Sequence, residues 1–167
     1  VNGIITSDGG DGQAGGYTGG GGSGGGVYII TDSLAGSGSI SADGGDGGAV
    51  GGWSSPGGGG GRIAVSFNTN SMTLTGITAP KGDMGAGALY ATAATVGTAF
   101  VLDQTNDDLY VPSGLALLSA GDYTRRNITF YNGSEVYCGT ANYDTLNLGA
   151  TGTLDMQGVT WACSTVS

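Results

Sequence analysis

The chain of 167 residues holds 38 Gly, 13 acidic and 4 basic side chains and no His, for a formal charge of −9. Four Lys and Arg argue against a nucleic-acid partner bound through phosphates. The lack of His excludes His-based triads and general bases, and no apolar run reaches the roughly 20 residues of a membrane helix.

Three Pro and no G-X-Y period exclude collagen. The acidic residues are twelve Asp and one Glu, and Asp favours turns and caps where Glu favours helices. No window reads as an amphipathic helix, so the expected class is all-β. Val1, with no Met and no signal-like run before it, reads as the start of a processed chain or a fragment.

Glycine divides the chain. Residues 1–61 hold 26 of the 38 Gly, and two units are expected, a Gly-rich repeat over 1–66 and β-rich rungs over 67–167. In the first unit Ile5-Thr6-Ser7-Asp8-Gly9-Gly10-Asp11-Gly12 returns as Ile40-Ser41-Ala42-Asp43-Gly44-Gly45-Asp46-Gly47. At that same spacing Gly26 matches Gly61 and Ile30 matches Val65. Each copy contains a short strand, an Asp-Gly-Gly-Asp-Gly turn, a poly-Gly run with one aromatic (Tyr17, then Trp53) and a second strand (Val27–Thr31, then Arg62–Phe67). Repetition of this length points to a stacked architecture.

Ordering poly-Gly costs about 1–2 kcal/mol per residue. The runs Gly19–Gly26 and Gly57–Gly61 are therefore expected side by side in polyproline-II-like conformation, bonded backbone to backbone, or clamped by a second copy. Gly suits either case, because close backbone approach leaves no room for a Cβ.

In the second unit Gly114, Gly133 and Gly152 recur every 19 residues. Leu109–Val111, Ile128–Phe130 and Leu146–Leu148 precede them, and Leu115–Leu118, Glu135–Cys138 and Thr153–Met156 follow. Short strands so spaced predict a parallel β-solenoid or β-helix-like stack with the Gly-rich segments as insertions. A sandwich is the rival. Cys138 and Cys163 are the only two cysteines. They are expected to form a disulfide in an oxidising, extracellular setting.

The stretches GGGGSGGGVYIITDSLAGSGSISADGGDGG, GGGGGRIAVSF, GAGALYATAATVGTAFVLDQTNDDLYV and LNLGATGTLDM resemble the glycine-rich modules and adjoining β-helical rungs of large bacterial surface and adhesin-like proteins. The resemblance implies an extracellular, parallel β-solenoid-like structural protein and no catalytic residue.

Several candidate sites follow. Asp8, Asp11, Asp43 and Asp46 could form one column of carboxylates for calcium, the one cofactor the sequence admits. The calcium nonapeptide pattern fails, however, since Ala14 and Ala49 stand at its Asp position. Asn106-Asp107-Asp108 reads as a solvated turn rather than as the acid pair of a polysaccharide hydrolase, and the chain is not expected to be an enzyme. Asn127 and Asn132 fit the glycosylation pattern N-x-[S/T] and are candidate sites for attached sugar.

The strand-like, apolar ends, Val1 with Ile4 and Ile5 at one and Trp161 at the other, invite pairing with another copy. Tyr17 and Trp53 are further contact anchors. A head-to-tail joint that does not close gives a filament, so the expected function is a self-assembling extracellular subunit of a filament, sheath or surface layer. The alternative is a carbohydrate-binding adhesin module, or a fragment of a larger surface protein, that recognises glycans through Tyr17, Trp53, Tyr123 and Tyr143. No nucleic-acid partner and no membrane insertion are expected.

Overall fold

The computed structural model describes all residues except 87–93, 119–122, 126, 132–133, 139–145, 149–153, 157–159 and 163–167. The fold is all-β, and its one helical element among the described residues is a 3-10 turn, Leu74–Gly76.

The first three passes of the chain repeat one plan. In the first, β1 (Ile4–Thr6) leads into an outgoing arm, residues 7–13, and a return arm, residues 19–25, leads into β2 (Gly26–Leu34). In the second, β3 (Ser39–Ser41) precedes arms 42–48 and 55–61 and then β6 (Arg62–Asn70). The arms are joined by a hairpin of β4 (Ala49–Val50) and β5 (Trp53–Ser54). Gly51 and Gly52 both have positive φ there, as a two-residue turn of the I′ kind demands. The third pass runs from β7 (Ile77–Thr78) through arm 79–85, and residues 94–97 lead into β8 (Thr98–Asp103).

Like elements stack in parallel, β1 on β3 on β7 and β2 on β6 on β8. Burial alternates along β6 and β8 with the period of two that a half-buried strand requires. Ile40 and Ile77 from the first stack and Ile63, Val65, Phe67, Ala99 and Val101 from the second share one core, with Leu34, Met72 and Leu74 closing it.

The chain then doubles back. β8 pairs antiparallel with β9 (Asp108–Val111) and touches β10 (Gly114–Leu118) in the same sense. The turn between β8 and β9 is made by Asp103, whose buried carboxylate accepts the N–H groups of Thr105 and Asn106. Asn106 and Asp107 thus lie in the expected turn, whereas Asp108, read with them as solvated, is buried and opens β9. Parallel pairing resumes beyond it. β12 (Asn127–Phe130) lies on β9, and β15 (Leu154–Met156) lies on β12. β13 (Ser134–Cys138) lies on β10, and β16 (Thr160–Ala162) lies on β13. β11 (Tyr123–Arg125) pairs with β14 (Leu146–Leu148).

Four expectations need correction. Asp-Gly-Gly-Asp-Gly does not turn; it forms the extended outgoing arms, because each arm finds backbone partners along its length in the next. Ile29, not Ile30, pairs with Val65: the second pass has one residue more between Asp46 and Arg62 than the first has between Asp11 and Gly26. Leu146–Leu148 stacks on Tyr123–Arg125, not on Ile128–Phe130, whose partner is Leu154–Met156. The step from Ile128 to Leu154 is 26 residues, longer than the 19 of the Gly spacing. Finally, β6 runs across the boundary drawn at residue 66, and β8 extends its stack.

Candidate assembly surface

The arms form a two-layer slab. Outgoing arms make one layer: Gly9 N–H donates to Asp43 O (2.8 Å) and Gly12 N–H to Asp46 O (2.7 Å). One arm further on, Gly44 and Gly47 donate to Pro80 O and Asp83 O, both at 2.9 Å. Return arms make the other layer, through Gly21 to Pro56 O and Gly24 to Gly59 O.

 Bonds between the layers run from Gly45 N–H to Gly22 O, from Gly58 N–H to Gly45 O and from Gly82 N–H to Gly58 O. Donors recur every third residue, the period of a polyproline II helix. The expected side-by-side packing of the Gly runs is therefore what orders them.

This packing decides which glycines are obligatory. A Cβ on Gly45 would lie 2.2 Å from Gly10 O, one on Gly58 1.9 Å from Gly22 O, and one on Gly82 1.9 Å from Gly45 O. These approaches exclude any side chain.

The Asp residues link successive arms. Asp8 Oδ1 accepts the N–H of Asp43, Asp11 Oδ1 that of Asp46, and Asp46 Oδ1 that of Asp83, each at 2.8 Å. Pro80, which follows in the Asp43 row, has no N–H to give, and Asp43 Oδ1 accepts the Thr78 hydroxyl instead (2.9 Å). Among the described residues no group of three or more His, Cys, Asp or Glu is placed to hold a metal ion. Of the four expected calcium ligands, Asp8, Asp11 and Asp46 accept an N–H of the next arm and Asp43 accepts the Thr78 hydroxyl.

Partial burial pushes the Asp8 carboxyl up, but hydrogen bonds from Thr6, the Asp43 N–H and Ser41 outweigh it and hold the group below its ordinary 3.8. Burial pushes Asp43 above 3.8; the Thr78 hydroxyl opposes this and the charge of Asp8 adds to it. Asp8 therefore contributes stability that is present above pH 3.8 and lost as pH falls through its depressed folded value. Asp43 contributes stability that is present below pH 3.8 and lost as pH rises through its raised value. Asp8→Asn is expected to lower the melting temperature at pH 7, by no more than about 1 kcal/mol of stability for an exposed acceptor. Asp43→Asn should leave it unchanged or raise it. Melting curves at pH 3 and pH 7 check both, and the gap between the two variants should narrow at pH 3.

The slab is open at the first pass. Among the described residues β1 pairs only with β3 and β2 only with β6. The N–H groups of Asp8 and Asp11, whose counterparts at 43, 46 and 83 are all capped by carboxylates, have no partner among the described residues. Ile4 on this edge is 75% exposed and Ile5 is exposed too, while Val1 donates its amino group to Ala35 O. At the far end of the chain β15 and β16 are the outer strands of their sheet, with Trp161 in β16. Asn127 begins β12. Asn132, Tyr143 and Cys163 lie outside the described residues, so the pairing of Cys138 with Cys163 does too.

The arm tips carry a second feature. Tyr17, 93% exposed, and Trp53, 65% exposed, line one cleft of about 410 Å³ with Gly16, Thr18 and Val50. Thr18 and Ser55 join the two passes behind it through a 2.7 Å hydroxyl bond. The sequence paired these aromatics as repeat equivalents, and stacking brings them together. A trough of about 370 Å³ on the outer face of β2, β6 and β8 gave no sequence signal beyond alternation; Tyr28, Ile30, Phe100 and Leu102 wall it and Ala64 and Ser66 floor it.

No family model matches the chain, and no curated protein and no solved structure matches it.

Proposed function

We propose that this chain is an extracellular structural subunit, a parallel β-solenoid with a glycine-rich slab, that assembles with its own copies into a filament, sheath or surface layer. The observation that carries the reading is the open first pass, where among the described residues two strands are paired on one edge only and two arm N–H groups are uncapped. An exposed edge of this kind is a template for another chain, and strand addition is its usual mode of use. A contact between different faces of successive copies does not close and so extends. The net charge of −9 keeps finished assemblies apart. The reading assigns no catalytic step to the chain and places calcium outside its requirements.

Purified protein at neutral pH should form elongated particles in negative-stain images, with light scattering that rises with concentration. A strict monomer at high concentration would overturn the reading.

The cleft between Tyr17 and Trp53 favours a second reading, a carbohydrate-binding module, since exposed aromatic faces stack on sugar rings. Under that reading the protein binds members of a glycan array, and Trp53→Ala reduces binding about tenfold or more, the effect of losing an aromatic anchor. Binding that survives Trp53→Ala would remove it.

A further inference from the structure

The outer face of the first pass keeps glycines that nothing in the molecule requires. A Cβ on Gly10 would have nothing within 4 Å, and the same holds for Gly3. Glycine is forced by the preceding pass at Gly38 in the Gly3 row and at Gly45 and Gly82 in the Gly10 row. Gly38 would place a Cβ 2.1 Å from Gly3 O, Gly45 one 2.2 Å from Gly10 O, and Gly82 one 1.9 Å from Gly45 O. Gly3 and Gly10 are thus shaped for a preceding arm.

The backbone agrees. In both contacts between outgoing arms, the preceding arm supplies an Asp carboxylate to the following arm's N–H. It also supplies Gly N–H groups to that arm's C=O groups. The first arm lacks such a partner: the N–H and C=O groups of Asp8 and Asp11 have none among the described residues. The third arm ends the series with the complementary set. Asp83 is exposed, and neither its carboxylate nor the N–H groups of Lys81 and Met84 have a partner among the described residues. Lys81 and Met84 stand 37 residues after Gly44 and Gly47, the offset that separates Asp83 from Asp46, so their N–H groups face where a fourth arm would lie.

We propose that the first pass, from Gly3 through the first arm, docks the third pass of a second copy from Thr75 through the third arm, repeating between molecules the contact between successive passes found within one. In this joint Asp83 of one copy caps the Asp11 N–H of the next. The N–H groups of Lys81 and Met84 donate to the C=O groups of Asp8 and Asp11, and Gly3 and Gly10 admit the approaching backbone. The match ends at Gln13, which has a side chain where Gly48 and Gly85 have none, so the covered stretch is Gly3 to Gly12. The two faces differ, and the contact therefore propagates rather than closing. The proposal rests on the assembly reading above and names its joint.

The test compares the wild type, the double variant Gly3→Ala/Gly10→Ala and Asp83→Ala, using sedimentation for assembly and circular dichroism melting for the fold. The double variant should melt at the wild-type temperature, because both methyl groups enter open space. Its critical concentration for assembly should rise about tenfold or more, since the same methyl groups would meet the docked backbone. Asp83→Ala should also melt normally and assemble less well. If either variant assembles at the wild-type concentration, this joint is wrong while assembly itself stands. If the wild type does not assemble, both are overturned.

Discussion

Gly45→Ala should cost about 3 kcal/mol or more, at the upper end for a single small substitution. Gly45 is buried at the centre of the slab. Its N–H donates to Gly22 O and its C=O accepts from Gly58 N–H, so it cannot shift without breaking bonds to both neighbouring return arms. The new methyl group would sit 2.2 Å from Gly10 O and 2.4 Å from Gly10 C. Both obstacles are backbone and have no rotamer through which to move. The first outgoing arm must therefore detach, and Asp11 would then lose the Asp46 N–H as well. Urea denaturation measures the change. A variant as stable as the wild type would mean that the arms do not pack backbone to backbone.

Phe67→Ala should cost about 3–5 kcal/mol, the usual range for removing a buried aromatic ring. Phe67 is 1% exposed and is the largest of the fully buried side chains. It stands on the central strand β6, between Thr31 of β2 and Asp103 of β8 in the register, where its loss is felt by all three passes. Chemical denaturation with an unchanged slope would identify a lost core contact rather than a changed unfolded state. A cost below about 1 kcal/mol would show that the core is not closed around this ring.

The two variants probe different forces. The strand region is held by apolar burial with the ordinary period of two, which is why its strands were legible from Val, Ile, Phe and Tyr alone. In the slab, glycine permits approach and the backbone supplies the bonds. Composition conveyed that much, because ordered poly-Gly needs partners and the two Gly runs were the nearest ones.

The third pass was harder to read. Ile77-Thr78-Ala79-Pro80-Lys81-Gly82-Asp83-Met84-Gly85 keeps Gly only where the preceding arm presses, at Gly82 and Gly85. Pro, Lys and Met take the other places, so a search for DGGDG passes over it. The surviving signal was Ile-x-Ala, then Gly-Asp-x-Gly, 37 residues on. The role of the Asp residues was also hidden. Spacing of three residues suits a turn or a metal column in a single segment, and only the stacking of arms shows the carboxylates of Asp8, Asp11 and Asp46 each reaching the next Asp N–H. The slip between Ile30 and Ile29 has a similar origin: the arm tip has six residues (49–54) in the second pass and five (14–18) in the first, and this one extra residue leaves no mark in composition, yet it changes which side chain faces the core.

Amide hydrogen exchange at Asp8 and Asp11, compared between dispersed protein and its assemblies, tests the open first pass most directly. In the dispersed chain these two amides should exchange at rates near those of unprotected groups, while Asp43, Asp46 and Asp83, already capped by carboxylates, exchange slowly. Assembly should bring Asp11, which gains the Asp83 carboxylate, down to the slow class, whereas Asp8, opposite Pro80, gains no carboxylate. An Asp11 amide that remains fast in assembled material, or that is already slow in the monomer, would contradict a face completed by a second copy.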